Sequence, residues 1–142
     1  MATTASAAHI IVGVDGSEHS LAALLEAERL AKALDAHLEI ITCWIVPVGW
    51  VNAGWIDNTG PRHEAQQIQD AAITKVFGDL VPEHVTRTLA EGPPHEALIE
   101  AGARADMVVV GSRGHGGFVG MLIGSVSRAV STHASCPVLV VH

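Results

Sequence analysis

Five short apolar runs, with helix-like stretches in the gaps between them, constrain this chain more than any other feature. The runs are HIIVGVD (9–15), HLEIITCW (37–44), HVTRTLA (84–90), DMVVVGS (106–112) and PVLVVH (137–142). Strand and helix therefore alternate from end to end, which argues for an α/β fold: a doubly wound parallel sheet with helices on both faces. The runs at 9–15 and 106–112 are nearly continuous in Val, Ile and Met. A strand covered on both faces needs that composition, so these two belong side by side in the centre. HVTRTLA instead alternates apolar and polar residues, as a strand with one wet face or at a sheet edge does.

The helices have their own signals. Ser17 can cap a helix beginning at Glu18, whose apolar face would carry Leu21, Leu24, Leu25, Leu30, Ala31 and Leu34. A second helix is expected over 63–80, with Ala65, Ile68, Ala72 and Val76 on one face. The turn at GPP leads into a short helix with Pro94 in its first turn. A last helix is expected over 125–132. Residues 45–62 show no period and read as a long loop, with Trp50 and Trp55 either packed on the sheet end or stacked on a bound base.

At 142 residues the chain fits one domain, with residues 1–8 expected to be disordered. Its formal net charge of -7 argues against a nucleic-acid surface and against a basic membrane-binding face. No apolar run is long enough for a membrane-spanning helix, and the start has neither a basic segment nor a long apolar one, so a cytoplasmic location is expected. Cys43 and Cys136 have no CxxC or zinc spacing and read as reduced, buried thiols. The nine histidines show neither HxH nor HExxH spacing, which favours scattered surface residues over a zinc site.

The segment GSRGHGGFVGMLIGSVSRAV (111–130) follows the fourth strand with unusual glycine content. Gly111 and Gly114 would let the chain turn tightly and bring backbone N–H groups onto an anion. Gly124-Ser125 would open the next helix, where unbonded N–H groups and the helix dipole favour phosphate. The hydroxyls of Ser125 and Ser127 can add hydrogen bonds. The segment is neither a Walker loop, which needs a Gly-Lys-Ser/Thr, nor a Rossmann fingerprint, which would follow the first strand. Arg113 and His115 are either solvated loop residues or the nearest cations for a polyphosphate. Asp15, ending the first strand, either braces the following turn or faces the ligand crevice, where it could hold Mg²⁺ through water.

VGVDGSEHSLAAL, EGPPHEAL, DMVVVGSRGHGGFVGMLIGSVSRAV and CPVLVVH together resemble the nucleotide-binding branch of the universal stress protein family, through its G-2x-G-9x-G-[S/T] pattern. The resemblance implies a single domain with a five-stranded sheet in order 3-2-1-4-5, a homodimer, and ATP across the ends of the first and fourth strands. It also implies that Gly13 and Asp15 contact ribose or adenine, and that the Cys43 backbone reads the adenine edge. Val110 and Gly111 would line the base and ribose side. Gly114, His115, Gly116 and Gly117, with Gly124, Ser125, Val126 and Ser127, would hold the phosphates, and Ser112 and Arg113 are counted with the nucleotide-binding residues. The apolar last strand, Val138–Val141, would be an exposed edge unless a second subunit covers it, which also favours a homodimer.

These residues offer a binding loop without an evident general base or arginine finger, so any ATPase activity should be slow. The expected function is an ATP-binding regulator of a stress response or signal. A slow Mg-dependent nucleotide hydrolase, a cyclic-AMP-binding relative and a dimeric interaction module with an unused pocket remain as alternatives.

Overall fold

The computed structural model describes residues 7–46, 59–114 and 124–142. Along the chain come β1 (His9–Gly13), α1 (Glu18–Leu34), β2 (His37–Trp44), α2 (Thr59–Phe77) and β3 (Val85–Glu91). These are followed by α3 (Pro94–Gly102), β4 (Met107–Gly111), α4 (Ser125–His133) and β5 (Val138–Val141). The strands form one sheet in the order β3-β2-β1-β4-β5, every neighbouring pair parallel. This is the expected order, with β3 and β5 at the edges.

The centre is built from the runs that are apolar on both faces. Ile10, Ile11 and Val12 lie between Leu38–Ile40 of β2 and Met107–Val109 of β4. Alternation divides them between two cores. Ile10 and Val12 join Leu24, Ala27, Ile40 and Val109 beneath α1 and α2, while Ile11 joins Ile41, Leu98, Val108, Val110 and Val130 beneath α3 and α4. The chain winds outward from β1 to β3, then returns to place β4 on the other side of β1. The winding direction therefore reverses between β1 and β4.

The N-terminal helix is capped as expected: the Ser17 side chain accepts from the Ser20 N–H. Its buried face, however, is made of small residues. Ala23, Ala27 and Ala31 flank Leu24 in the core, while Leu25 and Leu34 are each 55% exposed. Small side chains let this helix lie close to the sheet, which moves two of the leucines expected on its apolar face out of the contact.

Helix α2 starts earlier and stops earlier than expected. Pro61 sits in its first turn, where a missing N–H leaves no bond unmade. Gly78, at φ +72°, donates its N–H to the Thr74 carbonyl and ends the helix in the left-handed conformation that glycine tolerates. Its buried residues are Ala65, Gln69, Ala72 and Ile73, and the expected Ile68 is 37% exposed. Ala8, within the segment expected to be disordered, packs against the core, and its carbonyl accepts from the His37 N–H at 2.7 Å. Trp50 and Trp55 lie outside the described residues.

Candidate functional site

A cleft opens at the carboxyl ends of β1 and β4, where the winding reverses. Parallel sheets of this kind leave a crevice at that point, because the connections on either side depart to opposite faces. The sequence expectations converge there. Gly13, Asp15, Cys43, Val110, Gly111, Arg113, Gly114, Gly124, Ser125, Val126 and Ser127 all line the cleft. Ser112 does not. It is only 2% exposed and supports the cleft from behind. His115, Gly116 and Gly117 lie outside the described residues.

The turn after β1 is held by a compact network. Asp15 Oδ1 accepts from the Ser17 N–H at 2.9 Å and from the Ser17 hydroxyl at 2.5 Å. The Asp15 N–H donates to Ser20 Oγ at 3.2 Å, and Ser20 Oγ donates to the Ser17 carbonyl at 3.0 Å. Asp15 therefore braces the turn and also lines the cleft. One carboxylate oxygen braces the turn. The other points at the glycine segment, so that a Cβ on Gly114 would overlap Asp15 Oδ2.

The three motif glycines do different work. Gly111 is fixed by packing: a Cβ there would strike the backbone of His19. Gly114 is exposed beside Asp15. Gly124 closes the segment, its N–H donating to the Ser112 carbonyl at 2.5 Å. Ser127 completes that closure, because its hydroxyl donates to the carbonyls of Gly124 at 3.0 Å and Ser112 at 3.2 Å. That hydroxyl, expected to face a ligand, is turned inward and 2% exposed.

The N-terminus of α4 is left open toward the cleft. Gly124 is its N-cap and supplies no side-chain hydrogen bond. The first-turn N–H groups of Ser125 and Val126 have no acceptor within the helix, as at any helix start. At α1, by contrast, Ser17 fills this role with its own side chain. The open helix end, exposed Ser125 and the Gly114 backbone form a polar wall suited to an anion.

The opposite wall is apolar. Ile41, Leu98 and Pro94 line it together with Val110. Cys43 adds a thiol that burial pushes up to about 11, so it is neutral at physiological pH. Leu98, Pro94, Ile41 and Ser20 are site residues that motif reading missed. Leu98 carries only the ordinary signal of a core leucine, and its Cδ1 would lie 2.9 Å from a Cβ on Gly13. Among the described residues no group of three His, Cys, Asp or Glu side chains could hold a metal ion. No helix among them is long and apolar enough to cross a membrane.

Comparison with known proteins gives the same architecture. The model of the universal stress protein family matches residues 7–142. A universal stress protein of Mycolicibacterium smegmatis is 35% identical over 137 residues, covering 93% of this chain and 45% of the relative. The chain thus spans about half the length of that relative. The universal stress protein UspA of Lactobacillus plantarum superposes with a TM-score of 0.79 at 20% identity, covering 98% of this chain and 100% of the other. A universal stress protein solved in complex with cAMP superposes with a TM-score of 0.62 at 30% identity, covering 97% and 98%. The chain belongs to the universal stress protein family.

Proposed function

We propose that this chain is an adenine-nucleotide-binding regulator whose ligand is ATP, held in the cleft between the β1 and β4 ends. The observation that carries this reading is the pairing of an apolar slot with an uncapped helix N-terminus across a single cleft. An adenine base fits the wall of Ile41, Leu98 and Val110. The polyphosphate fits the wall of Gly114, Gly124, Ser125 and Val126, where backbone N–H groups meet its charge. The Cys43 backbone would read the adenine edge, and Asp15 would meet the ribose or hold Mg²⁺ through water.

In this reading Ser112 and Ser127 act on the ligand indirectly. They fix the carbonyl and N–H directions that shape the anion wall. The sequence offers no assigned general base or arginine finger, which supports nucleotide occupancy, rather than turnover, as the output. Hydrolysis is at most slow. The protein would work in the cytoplasm as a homodimer, with β5 edges paired through Val138–Val141, and would bind no nucleic acid.

A second ligand, cyclic AMP, has one observation in its favour: the solved relative at 30% identity holds it. It would use the same base slot, so the two compete. The test is to denature freshly purified protein and identify the released small molecules by mass, then titrate ATP with Mg²⁺ and cyclic AMP by calorimetry. Recovered ATP, or binding that Ser125→Ala and Gly114→Ala weaken, supports the reading. Absence of both carry-over and binding overturns it. Analytical ultracentrifugation at micromolar concentration tests the dimer, and a clean monomer removes it.

A further inference from the structure

Helix α3 separates two concavities. Pro94 and Leu98 face the nucleotide cleft, whereas Glu96, Ala97, Glu100 and Ala101 face a second groove on the far side. This groove exists because the sheet is unevenly covered. On one face α2 lies across β2 and β3. On the other, α3 packs on β1, β2 and β4, and α4 packs on β5. Both of those helices have nine residues, against 17 and 19 on the opposite face. Among the described helices none packs on this face of the edge strand β3. Thr88 and Ala90 form the floor of the groove beside Ile41, and the space measures about 230 Å³. A single water needs only about 15 Å³ by the same measure.

The charge of the groove identifies its occupant. Glu91, Glu96 and Glu100 stand around it, and among the described residues none makes an ion pair. The one basic residue among the described lining, Arg104, is directed to Glu39, although its charge also acts on Glu100. Its guanidinium donates to both oxygens of Glu39, at 2.8 and 3.4 Å. Thr88 also donates to Glu39, at 2.8 Å, so the hydroxyl on the floor is directed to the same carboxylate. What remains is an apolar-floored channel with three carboxylates on its walls. A Lys or Arg side chain suits that lining: its methylene stem covers the floor while its head meets the carboxylates.

We propose that this groove docks a Lys- or Arg-bearing segment of a partner protein. The inference goes beyond the nucleotide reading and does not depend on it, since the two cavities share only α3 and Ile41.

A fluorescein-labelled hexa-arginine amide, titrated into the whole chain and followed by anisotropy, provides the test. Any protein of net charge -7 attracts such a peptide, so the control matters. The double variant Glu96→Gln/Glu100→Gln is compared with Glu64→Gln/Asp79→Asn, which removes equal charge elsewhere. The groove variant should weaken binding about fivefold or more, and the control less than about twofold. Ser125→Ala should leave the peptide unaffected. Equal weakening by both double variants, no weakening by either, or no binding to the unaltered chain overturns the proposal. Circular dichroism of each variant confirms that only exposed charges have changed.

Discussion

A Cβ built on Gly111 lies 2.6 Å from the carbonyl carbon of His19 and 2.7 Å from its oxygen. The end of β4 and the first turn of α1 meet backbone to backbone, and no rotamer change can relieve an added methyl. Gly111→Ala should therefore destabilise the fold by about 1–3 kcal/mol, by overpacking. Gly114→Ala presents the contrasting case. Among the described residues its added carbon meets Asp15 Oδ2, the end of a side chain rather than backbone. Its stability should change by no more than about 0.5 kcal/mol, while ATP affinity falls. Urea denaturation of both variants separates the two roles. Equal loss of stability would show that the glycine motif is a packing device throughout.

Cys43 offers a reporter for the proposed base slot. Burial raises its pKa to about 11, which leaves roughly one thiolate per thousand molecules at pH 8. N-ethylmaleimide should label it slowly, and faster as pH rises toward 10. Bound ATP should slow that labelling further. Cys136 packs against Gly102 and lies outside the cleft lining, so its labelling should not respond to ATP. Mass analysis of peptides after timed labelling gives both rates at once. A Cys43 rate indifferent to saturating ATP would place the base elsewhere.

The fold was legible because strand and helix signals alternate from end to end, and because a central strand buried on both faces must be apolar along its length. That rule separates β1 and β4 from the alternating β3, and the separation sets centre against edge. The faces of the helices were less legible. Periodicity counts Leu25, Leu34 and Ile68 as apolar, but it cannot tell how closely a helix approaches the sheet. Here alanines make the contact at α1, and Gln69 is buried at α2. The cleft divides along the same line. Motif spacing marks the anion wall, since glycine and helix starts have local signatures. Leu98 and Ile41 form the other wall and look like any core residue until the strands are placed. Nor does spacing show that Ser127 turns its hydroxyl inward.

The Glu39 cluster predicts how the fold responds to acid. Burial pushes this carboxyl up, but hydrogen bonds from Arg104 and Thr88, with the charges of Arg104 and His9, outweigh it and hold it below its ordinary value. A lowered folded-state pKa means that the unfolded chain binds a proton more readily. The contribution is complete above about pH 4.3, the unfolded value, and is lost as pH falls through the folded one. Arg104→Met removes the largest opposing contact. Its denaturation midpoint in acid should move to higher pH, with a smaller change at pH 7 in high salt. Acid titration followed by circular dichroism measures it, and an unmoved midpoint would remove Glu39 from the account of acid stability.

Gln69 should show the opposite pH dependence once altered. Its side-chain amide is 1% exposed and donates to the carbonyls of Ile40, at 3.2 Å, and Thr88, at 2.9 Å. Those carbonyls belong to adjacent strands, so one amide ties α2 to both β2 and β3. Gln69→Ala removes the donor and should cost about 1–3 kcal/mol. Gln69→Glu is the sharper experiment. A carboxylate there would face two carbonyl oxygens in a dry site, so burial and repulsion favour its protonated form, which can still donate one hydrogen bond. Its folded-state pKa is then raised above the unfolded value. The protonated form is favoured below about pH 4.3, and the penalty grows as pH rises through the folded value. Relative to the unaltered chain, Gln69→Glu should therefore lose least stability near pH 4.5 and most at pH 7. Urea midpoints at the two pH values test the sign. A penalty independent of pH would mean that the carboxylate finds solvent, and that the amide does not sit between the strands as described.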